Sequence, residues 1–193
     1  MVDFPPLVPS ARWFANFLQS RGYGLTEKEA CIGANLKLES GKEFGRFSLR
    51  NPNGEIKSLS LAIEGGGRRL RTIEKVSGLH LSNHGDWRKT HLHTIETCLG
   101  RKPFFREIQP YIADVYNNYE LTSLEEFNSA IFMELNSFLM GNIIPADLSS
   151  FFANPVLTER GKEIAEKIDC EISILQALVS FGRETLLGLY ALE

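Results

Sequence analysis

The chain has 193 residues, and its 43% hydrophobic and 23% charged content is that of an ordinary folded domain, which excludes a disordered or fibrous protein. Lys+Arg 21 against Asp+Glu 24 leaves a formal net charge of −3, a balance that calls for no nucleic-acid partner and no anionic membrane. The unusual quantity is 13 Phe beside 5 Tyr and 2 Trp, which points to a phenylalanine-filled core more than to a ligand-stacking surface. Cys31, Cys98 and Cys170 are scattered and form no CxxC pair, so reduced thiols and a cytoplasmic location are expected. Met1-Val2-Asp3-Phe4-Pro5-Pro6 lacks the basic start and apolar run of a signal peptide, and no apolar stretch approaches the roughly 18 residues of a membrane span.

The first expected element is an extended apolar segment at the N-terminus. A helix over 11–20 follows, in which Trp13, Phe14, Phe17 and Leu18 have helical spacing and Arg21-Gly22 is the stop. A second extended segment is expected near 30–32, and a crossover helix between neighbouring strands makes that pair parallel. From Phe44 to about Leu81 the apolar residues alternate, most clearly in Leu59-Ser60-Leu61-Ala62-Ile63. Asn51-Pro52-Asn53-Gly54 separates this run from Arg46-Phe47-Ser48-Leu49 and reads as a hairpin turn, with Gly65-Gly66-Gly67 closing the second strand. A third strand is expected over 71–77.

After Leu81 the period changes to 3.6. Asn83 with Asp86 is a candidate cap for a helix whose stripe is Trp87, His91, Ile95 and Cys98/Leu99, with Gly100 as its stop. Pro103 suits the first position of the next helix, and Pro110 is expected to break or kink it. Thr122 with Glu125, or Ser123 with Glu126, forms a capping box for the strongest helix, striped by Leu124, Phe127, Ile131, Leu135 and Phe138 up to Gly141. Beyond Pro155, two or three short helices are expected, broken at Asp169 and at Ser180-Phe181-Gly182. The expected fold is one α/β domain over 1–193, bordering on α+β. A small mixed sheet from a strand-rich 1–81 packs in it against a mainly helical 82–193.

The four histidines, His80, His84, His91 and His93, cluster in sequence and invite a metal hypothesis, which helical geometry opposes. His91 and His93 project to opposite sides, and His84 and His91 lie about 10 Å apart along an axis, too far to share one ion. No metal and no cofactor is expected. His91 has two readings: a hydrogen-bonded core histidine, or a general base at the edge of a cleft. Arg68 and Arg69, after Gly65-Gly66-Gly67, also have two: an anion cradle of amides and guanidinium forks, or a solvated turn. The glycines lack the GK[ST] ending of a phosphate loop, and no G-x-S-x-G elbow is present.

Asp86-Trp87-Arg88-Lys89-Thr90-His91, running through Ile95 and Gly100 to Lys102-Pro103-Phe104-Phe105, resembles the W-x-x-x-H, helix, P-[YF]-F pattern of the WbqC-like family. Arg46 through Pro52-Asn53-Gly54 to Leu59–Ile63, then Phe127-Asn128, then Ile172-Ser173-Ile174-Leu175 with Gly182-Arg183-Glu184, follow the family's further segments in order. Where the family carries R-N-R, this chain has Phe44-Gly45-Arg46. The resemblance implies a bacterial accessory, or an acyl- or aminoacyl-transfer enzyme, in surface polysaccharide (O-antigen) assembly. It also implies roles: Arg46 anchoring an anion, His91 as a base and Trp87 walling a pocket. The expected partner is a small molecule, such as a sugar phosphate, a nucleotide sugar or an amino acid. The alternative is a non-catalytic binding module or inactivated relative that keeps the frame without its polar site.

Overall fold

The computed structural model describes residues 5–11, 13, 14, 17, 41–71, 78–141 and 173–190. The expected strand near 30–32, the third strand over 71–77 and the helices between 155 and 172 lie outside these residues, apart from Arg71. The fold is mixed α/β. Its sheet, among the described residues, is two antiparallel strands, β1 (Arg46–Arg50) and β2 (Ile56–Ser60), with Arg46 opposite Ser60 and Arg50 opposite Ile56. Period-two burial puts Phe47 and Leu49 of β1 and Leu59 of β2 inward. The turn between them is held by Asn51, whose Oδ1 accepts from the amides of Asn53 (3.0 Å) and Glu55 (2.9 Å).

The alternating run does not continue as sheet through Ile63. At Leu61 the chain leaves β1 and runs beside 79–82, with Ser82 N–H donating to the Ala62 carbonyl (2.7 Å) and Glu64 N–H to the His80 carbonyl (3.0 Å). The N-terminal segment likewise forms no sheet strand in its described part. Ser10 bridges Ser173, and Ile174 N–H donates to the Pro9 carbonyl (2.8 Å).

The helices are α1 (Trp87–Leu99), α2 (Phe105–Asn117), α3 (Leu124–Met140), α4 (Ile174–Phe181) and α5 (Arg183–Tyr190). Capping is selective. Asp86, not Asn83, precedes α1, and its side chain makes no cap bond. Ser123 and Glu126 form the full capping box of α3, and these bonds hold the Glu126 carboxyl below its ordinary pKa. Phe104, not Pro103, flanks α2, and the helix runs past Pro110 to Asn117 without ending there. Pro110 is exposed on α2 while Ile108 and Ile112 stay buried, so apolar packing on the inner face offsets the lost backbone bond.

Phenylalanines are prominent in a core made largely of Leu and Ile, with Phe14, Phe17, Phe44 and Phe127 at 0% exposure. One aromatic cluster joins Trp13, Phe14 and Phe17 to Phe132 of α3, and the Phe17 and Phe132 rings meet edge-on at 4.6 Å. A second cluster gathers Trp87, His91, Tyr116 and Phe127, where α1, α2 and α3 converge. Gly182 separates α4 from α5 with φ 76° and ψ 164°, and an added Cβ would stand 2.8 Å from the Phe104 ring. The Pro103-Phe104-Phe105 and Gly182-Arg183-Glu184 segments therefore meet in space. No helix among the described residues is long and apolar enough to cross a membrane.

Candidate functional site

Two of the sequence-selected residues converge on Ser60. Leu61 N–H donates to Gly45 O and Asn51 N–H to Glu55 O, which makes the odd-numbered residues of β1 the hydrogen-bonded pairs. Arg46 and Ser60 are thus a non-hydrogen-bonded pair, and the Ser60 carbonyl points off the open edge of β2. There it accepts from His91 Nε2 (3.2 Å), while the Ser60 hydroxyl on the outer face accepts from Arg46 Nε (2.9 Å).

A carbonyl can only accept, so His91 carries its proton on Nε2 and Nδ1 is left as an acceptor for the Tyr116 hydroxyl (3.2 Å). Both ring nitrogens are therefore engaged. The ring is 5% exposed, with Trp87 at 5.3 Å and Phe47 at 6.4 Å between centroids. Burial is the main cause that lowers its pKa to about 4, outweighing the Ser60 carbonyl, which favours the proton. Burial also pushes the Tyr116 hydroxyl upward. At neutral pH this set is a closed, uncharged chain from Tyr116 through His91 to the β2 backbone.

Arg88 is buried although Lys89, the next residue, is exposed. It is 4% exposed, and its guanidinium donates from Nη1 to the carbonyls of Tyr116 (3.2 Å) and Asn118 (3.0 Å) and from Nη2 to that of Leu121 (2.7 Å). It thereby caps the C-terminal end of α2, where the helix dipole is negative. Trp87, Tyr119 and Phe127 surround it at 4.9, 5.2 and 5.1 Å. A signal was present in the sequence: Arg88, His91, Ile95 and Cys98 share helical spacing.

Asn128 and Gln176 are further buried polar residues with structural work. Asn128 Nδ2 donates to the carbonyls of Pro5 (3.1 Å) and Phe44 (2.8 Å). Gln176 accepts from Arg50 N–H (2.9 Å) and donates to its carbonyl (3.3 Å), fastening α4 to the end of β1.

Arg68 and Arg69 are exposed on a 3-10 turn, Gly67–Arg71, which is anchored by Leu70 against Gly45, the residue before Arg46. Gly65 has φ 74°, and the Arg69 guanidinium folds over it so closely that a Cβ there would lie 2.9 Å from Nε. Gly65 lines an open polar cleft of about 420 Å³ with Ile63, Glu64, Ser82, Asn83 and His84. Asn83 is shared with an adjoining hollow of about 120 Å³ walled by Trp87, Tyr119 and Lys89. Trp87 Nε1 donates to the Ser82 carbonyl (2.8 Å), which fixes the indole where the two concavities join.

The structure thus places Trp87 in the smaller hollow, while Arg68 and Arg69 line neither concavity and Arg69 only folds over Gly65, a residue of the cleft lining. Neither concavity is lined by Arg46 or His91. Among the described residues no three His, Cys, Asp or Glu side chains gather as a metal-ligand set.

No curated protein and no solved structure matches the chain. The sequence profile of the WbqC-like protein family matches residues 29–171, which includes the β-hairpin, the Trp87–His91 segment and all of α1, α2 and α3. With most of its length matched, the chain belongs to the WbqC-like protein family.

Proposed function

We propose that this protein is a binding member of its family that takes a sugar phosphate in the Glu64–His84 cleft and performs no chemistry through His91. The observation that carries the reading is the closed state of His91, whose two ring nitrogens are already used by Ser60 and Tyr116. For His91 to act as a base in acyl or aminoacyl transfer, its buried ring would have to surrender one of these bonds and face substrate. The cleft, by contrast, is open and falls within the roughly 300–1,000 Å³ of small-molecule sites. Glu64, Ser82, Asn83 and His84 offer donors and acceptors for sugar hydroxyls, and Arg69 at the Gly65 rim, with Arg68 beside it, suits a phosphate. A place in cytoplasmic surface polysaccharide assembly rests on the family resemblance.

Calorimetric titration with a hexose 1-phosphate, the free hexose and inorganic phosphate tests this reading. The sugar phosphate should bind best, and the double variant Arg68→Gln/Arg69→Gln should weaken it at least about tenfold, the lower end for losing a charged hydrogen bond. Equal binding by the double variant, or turnover that disappears in a folded His91→Gln protein, would overturn it.

A further inference from the structure

A third concavity lies between α1 and α2, away from the other two. It encloses about 160 Å³ between α1 and α2, with Leu175 of α4 contributing to the wall, and it shares no lining residue with the cleft above. Its interior is apolar: Ile95, Ile108, Ile112 and Leu175 are each at most 3% exposed, and Phe105 is 6% exposed. Its polar lining is His93 and Glu96 from α1 and Gln109 from α2, all solvent-exposed. Glu96 is the single acidic residue of the lining, and no Lys or Arg joins it.

Size decides the class of occupant. A cavity of about 150 Å³ lined by Leu, Ile and Phe holds one benzene ring, whereas drug-sized ligands need about 300 Å³ or more. A nucleotide sugar is therefore too large, and a sugar ring would leave its hydroxyls against isoleucine without partners. Chemistry decides the head group. A carboxylate at the mouth of an apolar cavity favours a cation and repels an anion, while His93 and Gln109 supply further hydrogen-bonding atoms.

We infer that the α1–α2 cavity is a binding site for a small primary amine bearing one aromatic or branched aliphatic group, its ring between Ile95 and Ile112 and its ammonium at Glu96. The test is backbone-amide NMR titration of the full chain with 2-phenylethylamine, 3-phenylpropanoate and ethanolamine. The arylalkyl amine should shift amides of residues 92–96 and 105–113, with the carboxylate and the ring-free amine each at least about tenfold weaker. Glu96→Gln, at an exposed position, should erase the preference for the amine over the carboxylate. Ala113→Phe, which fills the cavity from its wall, should abolish binding of the arylalkyl amine. Shifts absent from these residues, equal affinity for amine and carboxylate in the parent protein, or unaltered binding in a folded Ala113→Phe protein would each overturn the assignment.

Discussion

His91 makes stability depend on pH in a way that tests its environment directly. Its pKa is lowered from 6.5 to about 4 by burial, so in the window between these values the unfolded chain holds a proton that the folded chain refuses. Stability is therefore fully present above about pH 6.5 and is lost as the pH falls toward 4. A difference of about 2.5 units at 1.36 kcal/mol each sets a ceiling of about 3 kcal/mol, and about 2 kcal/mol of this is already gone at pH 5. Carboxylates titrate in the same range, so the quantity to measure is the difference between the parent protein and His91→Gln. Urea denaturation at pH 7.5, 6, 5 and 4.5 gives each curve. The parent should lose about 2 kcal/mol more than the variant between pH 7.5 and 5, although the variant starts less stable because Tyr116 has lost its acceptor. Parallel curves, or an imidazole that titrates near 6.5 by NMR, would refute a buried, doubly bonded ring and restore His91 as a base.

The remaining predictions concern the polar and backbone devices that hold the same frame. Arg88→Met removes a guanidinium that donates to the carbonyls of Asn118 and Leu121 at 3.0 and 2.7 Å. Net of the relief of burying a charge, we expect a loss of about 3 kcal/mol, or about 6–12 °C in Tm by calorimetry, and a change under about 2 °C would disprove the cap. Gly182→Ala forces a side chain into φ 76°, ψ 164° and against the Phe104 ring, so a loss of about 3 kcal/mol or more is expected in denaturant titration. Gln176→Ala should uncouple α4 from β1 at a cost of about 1–3 kcal/mol, visible as faster hydrogen exchange of the Arg50 amide; unchanged protection there would count against the link.

Features set by residues close in sequence were legible from it, and those set by distant residues were not. The capping box at Ser123 and Glu126, the β1–β2 turn at Asn51 and the Gly182 break all follow from groups within a few residues of one another. The reading of 59–63 as strand holds for Leu59 and Ser60 in β2 but not for 61–63, for a complementary reason: alternation records which side is buried, and Leu61 and Ile63 are buried where the chain runs beside 79–82 instead of β1. Candidate site residues were legible as residues but not as a group. The cleft beside Trp87 takes its lining from both 63–65 and 82–84, segments brought together only because 61–64 runs beside 79–82, whereas Arg46 and His91 meet at a serine that no motif marks.

The sequence by itself determined where α1 and α3 run, most of their apolar faces and that several phenylalanines lie in the interior, since periodicity and capping are local chemistry. Only the tertiary structure decided what the polar residues on those faces do. The carbonyls of residues 116–121 close around Arg88, and His91, open in sequence between a core histidine and a base, has both ring nitrogens engaged by Tyr116 and Ser60. The physical reason is that a buried polar group is defined by its partners, and those partners lie 25 to 33 residues away along the chain.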